Sequence, residues 1–80
     1  MPKFKVLSGK ELVNIFTKHF HFKVKSQKGS HIKLLRYVAN KKQILIIPFH
    51  KEIDRGTLGS IYKKTLEYLD SEEIEPFFFL

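Results

Sequence analysis

A chain of 80 residues, 42% hydrophobic and 14% aromatic, carries enough apolar material for one small core and too much for a disordered segment. It has no cysteine, which excludes disulfides, thiolate nucleophiles and Cys-ligated zinc, so the core must hold by packing alone. All 15 Lys and Arg lie before residue 70 together with four of the eight acids; the net +7 therefore divides into a body of +11 and a tail, from Asp70 onward, of −4. Such a body attracts polyanions, of which nucleic acid is the commonest in cytoplasm. The opening MPKFKVLSGK has no long apolar run, and no segment approaches the roughly 20 residues that span a bilayer. The expectation is a single cytoplasmic domain over residues 1–80, without membrane contact.

The segment LSGKELVNIFTKHF opens a helix. Ser8 and Glu11 have the spacing of a capping box, and Leu7 and Leu12 stand at the N′ and N4 positions of a hydrophobic staple. Leu12, Ile15 and Phe16, with Val13 at the margin, form the core stripe, leaving Lys10, Asn14, Thr17 and Lys18 to water. FHFKVK, residues 20–25, alternates with period two and predicts a strand that buries Phe20, Phe22 and Val24 and shows His21, Lys23 and Lys25. SQKGS is expected to turn, and His31 to Val38 to form a second strand. ANKKQ turns again into ILIIP, whose unbroken apolar run predicts a strand covered on both faces, or one that keeps its second face for a partner. In TLGSIYKKTLEYL, Leu58, Ile61, Tyr62, Leu66 and Leu69 recur at helical spacing, with Asp54 or Gly56 as the cap. The tail DSEEIEPFFFL is expected to make a short helical turn capped by Asp70, to be redirected by Pro76 and to dock FFFL on the domain.

This order, α-β-β-β-α, predicts an α+β fold with a three-stranded antiparallel sheet and both helices on one face, the order of the double-stranded-RNA-binding domain. In the second strand, Ile32, Leu34 and Val38 should face the helices, which puts His31 and Lys33 on the open face beside Lys23 and Lys25. Arg36 falls on the apolar side and must reach past the core edge by its long stem. Gly29 suits a turn residue with positive φ and leaves room for a phosphate backbone, with Lys28 adding charge beside it.

His31 thus stands in a positive field with no carboxylate near it in sequence. An imidazole titrates near pH 6.5 and can take a proton at cytoplasmic pH. RNA offers a 2′-hydroxyl next to every phosphate, so a base at His31 would start strand scission without metal or cofactor, with lysines stabilising the charge on phosphorus. DNA lacks that hydroxyl and would not be cut.

In order and spacing, SGKELVNIF, QKGSHIKL, IPFH and RGTLGSIYK resemble the HicA toxins of HicA/HicB toxin–antitoxin pairs, through nearly the whole chain. The resemblance implies a small endoribonuclease that cuts mRNA, with His31, in the GSH triplet, as its catalytic residue. Lys23, Lys25, Lys28, Gly29, Ser30 and Lys33 are the expected RNA-binding positions. It also implies a HicB-type antitoxin partner, through which alone the protein would meet DNA. One departure from the family pattern is His19-Phe20 where a Gly-Phe pair usually closes the first helix; a left-handed His19 would strain that cap.

His50, in PFH, follows the third strand and is an auxiliary candidate at the same sheet edge, with ordering of its loop as the favoured role. His19 and His21, two apart, lack the further ligands a metal site needs. Ser30 adjoins His31, but neighbouring strand residues point to opposite faces, so a nucleophile–base pair is not expected. The rival reading of the whole chain is a noncatalytic module of the same fold that binds duplex RNA.

Overall fold

The computed structural model describes residues 3–80. The elements run α1 (Gly9–His19), β1 (Lys23–Lys28), β2 (His31–Val38), β3 (Lys41–Pro48), α2 (Arg55–Thr65) and α3 (Ser71–Phe78). The strands form one antiparallel meander, ordered β1-β2-β3, and the helices cover a single face of it. This is the expected α+β architecture of the double-stranded-RNA-binding type, with a third helix added at the end. No helix among the described residues is long and apolar enough to cross a membrane.

α1 begins as its sequence dictates. The Ser8 hydroxyl accepts the Glu11 N–H and the Glu11 carboxylate accepts the Ser8 N–H, both at 3.0 Å, and Leu7, Leu12 and Phe16 are buried. Its end differs from expectation. His19 stays helical and packs at a tilt against Phe77, with ring centroids 4.9 Å apart, while His21 takes the left-handed conformation at φ 63°. The Phe22 N–H then closes on the Phe16 carbonyl, which turns the chain sharply enough to bury Phe20 and Phe22 before any strand begins.

β1 consequently starts at Lys23 and runs through Ser26, Gln27 and Lys28, which were expected to turn. The hairpin turn is only Gly29-Ser30, with Gly29 at φ 59°. A bulge between Val24 and Ser26 breaks the alternation, and Val24, expected in the core, is 55% exposed. The second hairpin turns on Ala39-Asn40, both at positive φ, the backbone of a tight two-residue turn. Val38, also expected inside, lies at its rim and is 45% exposed.

The core joins Ile32 and Leu34 of β2 and Leu45 and Ile47 of β3 to Leu12 and Phe16 of α1, Leu58 and Ile61 of α2, and Ile74 and Phe78 of α3. Arg36 does occupy the core side, where its guanidinium lies over the Phe22 ring and donates to the Phe20 carbonyl (2.9 Å), the Tyr68 carbonyl (3.3 Å) and Gln43 Oε1 (2.6 Å). Instead of reaching out to water it ties the end of α1 to the loop after α2. Burial lowers its pKa and Glu73 opposes that shift; a guanidinium remains a cation throughout.

Asp54, not Gly56, caps α2. Its carboxylate accepts the Thr57 hydroxyl at 2.7 Å and the Thr57 N–H at 3.0 Å. These bonds hold the carboxyl below its usual pKa. The cap therefore contributes fully above the ordinary carboxylate range and is lost as pH falls through the lowered value. α2 ends at Thr65, so Leu66 is 40% exposed rather than continuing the apolar stripe. α3 is a full helix with Pro76 inside it, not a turn that Pro76 ends, and Asp70 holds the N-cap position without a side-chain cap bond. Packing explains its survival: Ile74 and Phe78 are wholly buried and offset the bond lost at proline. The chain closes where the Lys5 N–H meets the Phe78 carbonyl and the Leu80 N–H the Lys3 carbonyl, with Phe4 stacked on Phe79. FFFL is docked, apart from Leu80, which is 84% exposed.

Candidate functional site

The open face of the sheet follows from the register. β2 pairs Lys28 with His31, Ser26 with Lys33 and Lys23 with Leu35 on one side; on the other, Pro48 lies opposite His31, Ile46 opposite Lys33, Ile44 opposite Leu35 and Lys42 opposite Tyr37. Paired residues share a face, so this surface carries His31 with Lys28 and Lys33 near it, and Lys23 and Lys42 further along the strands. Lys25 sits in the bulge and has no partner on β2, so it does not stand beside His31 in the way a regular strand implies. The lysine nearest in register is Lys28, on the strand portion that the sequence reads as turn.

Among the described residues the only ion pair is Lys64–Glu67, at 3.2 Å. The lysines of the sheet face are therefore uncompensated and remain available to a polyanion. Gly29 and Ser30 cap this face. A Cβ on Gly29 would meet open space, so the positive φ accounts for glycine there.

His31 is exposed as the first residue of β2. Pro48, its β3 partner, ends that strand, and the next residues bring His50 to the same end of the sheet. Three contacts hold that loop: the Phe49 N–H donates to the Ser30 carbonyl, the Gly9 N–H to the His50 carbonyl at 2.9 Å, and the Ile53 N–H to the Leu7 carbonyl at 2.9 Å. Gly9 lies so close that a Cβ would overlap the Pro48 carbonyl oxygen and come within 2.7 Å of the Phe49 Cα. Alanine would be favoured in a helix by about 1 kcal/mol, but the clash is with backbone that three bonds prevent from moving. Gly9→Ala is expected to destabilise the fold by about 1–3 kcal/mol, read as a lower urea midpoint; an unchanged or higher midpoint would show that the loop yields.

His31 and His50 together line one end of a groove of about 720 Å³ between β3 and α2. Ile44, Ile46 and Pro48 form its strand wall, and Thr57, Ser60 and Ile61 its helix wall. At the far end the Tyr68 hydroxyl donates to the Ile44 carbonyl at 3.1 Å and accepts the Ile44 N–H at 3.2 Å. The ILIIP strand is not covered on both faces: Leu45 and Ile47 enter the core, while Ile44 is half-buried and Ile46 is 48% exposed at the groove. Neither the groove nor Tyr68 is visible in the sequence, since both depend on where α2 lies across β3.

Comparison with known proteins gives one result of substance. A family model described as the HicA toxin of bacterial toxin–antitoxin systems matches residues 9–66, more than half of the chain. No curated protein and no solved structure matches it.

Proposed function

Since the chain belongs to the HicA toxin family of bacterial toxin–antitoxin systems, we propose that it is a metal-independent endoribonuclease that cuts mRNA in the cytoplasm, with His31 as catalytic base, and that a HicB-type antitoxin neutralises it. The observation that carries this reading is the exposed His31, paired with Lys28 and two residues from Lys33 on the same face, neither lysine having a carboxylate partner. The phosphodiester backbone binds across Lys23, Lys28 and Lys33, with Lys25 contributing from the bulge and Gly29 and Ser30 bordering the strand path. His31 removes the proton from a 2′-hydroxyl, and that oxygen attacks the adjacent phosphorus in line. The bond from phosphorus to the 5′-oxygen breaks, leaving a 2′,3′-cyclic phosphate and a 5′-hydroxyl. Lysine ammonium groups stabilise the charge gained on phosphorus. We assign to His50, which lines the same groove, the proton that the leaving oxygen takes up.

The test uses end-labelled single-stranded RNA in EDTA, with a matched strand carrying one 2′-deoxynucleotide at each cut position. The expected outcome is cleavage of the first only, with cyclic-phosphate ends. Products ending in 3′-hydroxyl, or cutting of the deoxy strand, would sink this chemistry. The likeness of the fold to the double-stranded-RNA-binding domain favours a second reading, a noncatalytic duplex binder. It predicts salt-sensitive binding and RNA that stays intact.

A further inference from the structure

We propose that the groove between β3 and α2 is a nucleobase subsite, which takes one unstacked base of a single-stranded RNA whose backbone crosses the lysine face beside His31. The proposal rests on the ribonuclease reading for the identity of the RNA and on the geometry of the groove for the base. Its volume lies within the roughly 300–1,000 Å³ typical of small-ligand pockets. Ile44, Ile46 and Pro48 give it an apolar wall suited to the flat face of a base, and His31, opposite Pro48, lines one end of it. A base lodged there belongs to a nucleotide next to the phosphate at His31.

The strand edge supplies polar recognition. Ile44 turns both its N–H and its C=O outward, where the Tyr68 hydroxyl takes them. In an antiparallel ladder the outward direction recurs every second residue, so Ile46 and Pro48 face the same way. Pro48, lacking an N–H, loses no ladder bond there. Ile46 keeps a donor and an acceptor side by side in the groove, and among the described residues no side chain takes them. Every nucleobase carries an adjacent donor and acceptor on its Watson–Crick edge, the edge that proteins read in single-stranded RNA. In a duplex that edge is already paired, and the base would have to be flipped out first. Single strands are therefore the substrate, despite a fold of the duplex-binding type.

Ser60 is exposed on the helix wall, so a larger side chain there fills the groove without entering the core. Two quantities are measured for the parent chain, Ser60→Phe and Lys63→Phe, the last adding the same ring to an exposed position of α2 outside the groove. One is binding, by fluorescence anisotropy, of short single-stranded RNAs made uncleavable by 2′-deoxy substitution, with an abasic residue stepped through each position. The other is cleavage of the corresponding all-ribose strands.

For the parent and Lys63→Phe, one abasic position is expected to weaken binding about tenfold or more, as loss of one base contact does elsewhere. Ser60→Phe should bind the intact strand as weakly as the parent binds the abasic one and show no further abasic effect. Base dependence without cleavage would keep the subsite and remove the ribonuclease reading; cleavage that is indifferent to the abasic position would do the reverse. Loss of both removes both. If Ser60→Phe instead leaves RNA binding intact and abolishes binding of the antitoxin, the groove belongs to the protein partner and the proposal falls.

Discussion

His31→Ala is expected to lower the rate of RNA cleavage about 10²–10⁴-fold, the usual contribution of a positioned proton-transfer group, while leaving RNA binding close to that of the parent. The two effects separate because different residues carry them. On the proposed reading, affinity rests on Lys23, Lys28, Lys33 and their neighbours, through phosphate contacts that would depend on charge and salt, whereas removal of the 2′-hydroxyl proton rests on His31. The substitution is also structurally mild. His31 is exposed, the β2 ladder is made by backbone, and surface changes of this kind usually stay within about 0.5 kcal/mol. An unchanged thermal midpoint with intact RNA binding would therefore make the lost rate a statement about chemistry. A parent-like rate in His31→Ala alongside a lost rate in His50→Ala would transfer the base to His50 and overturn the assignment made above.

Phe78→Ala is expected to destabilise the protein by about 3–5 kcal/mol, the cost of removing a buried aromatic ring and leaving a cavity. Domains of this kind are stable by only about 5–15 kcal/mol, so much of the folding free energy would go with one side chain. Phe78 is fully buried, with ring centroids 6.3 Å from Phe16 and 5.3 Å from Tyr62, and so ties α3 to α1 and α2. It lies outside residues 9–66, where the family pattern is matched. Urea denaturation of Phe78→Ala beside Leu80→Ala decides the matter, because Leu80 is 84% exposed and its loss should be nearly neutral. Equal, small effects would mean that α3 is an ornament on a core complete without it.

How far the sequence reveals this molecule depends on the range of the interactions involved. The start of α1 is legible because Ser8 and Glu11 satisfy each other within four residues. Asp54 is harder to choose over Gly56, although its bonds to Thr57 are equally local, because both residues suit a cap. β1 is misread because all six of its residues are exposed, so no buried face imposes a period, and Ser26-Gln27-Lys28 has the composition of a turn. The burial of Phe20 and Phe22, which does alternate, belongs to the closure of α1 through left-handed His21. The neighbourhood of His31 is legible in outline, since period two along β2 separates it from Ile32 and Leu34. Its pairing with Lys28 is not, because the bulge near Val24 shifts everything beyond it by one residue. Apart from the cross-strand bond of Arg36 to Gln43, Arg36 and Tyr68 lie beyond any local argument: their other partners are 16 to 32 residues away.

The hydroxyl of Tyr68 has a bearing on colloidal behaviour. A three-stranded meander has two free margins, each able to recruit a strand from another molecule and begin an aggregate. β1 guards one margin with Lys23, Lys25, Lys28 and a bulge, so that a second copy meets repulsion and a bent template. β3 is more apolar and has no such charge along Ile44-Leu45-Ile46-Ile47. There a single phenol occupies the donor and the acceptor of Ile44, and Pro48 offers no donor at the strand's end. The opening left between them is one residue long, too short for a strand to nucleate on and wide enough for a small planar group. A small planar group can thus reach the free donor and acceptor of Ile46, where an incoming strand finds no continuous run of partners.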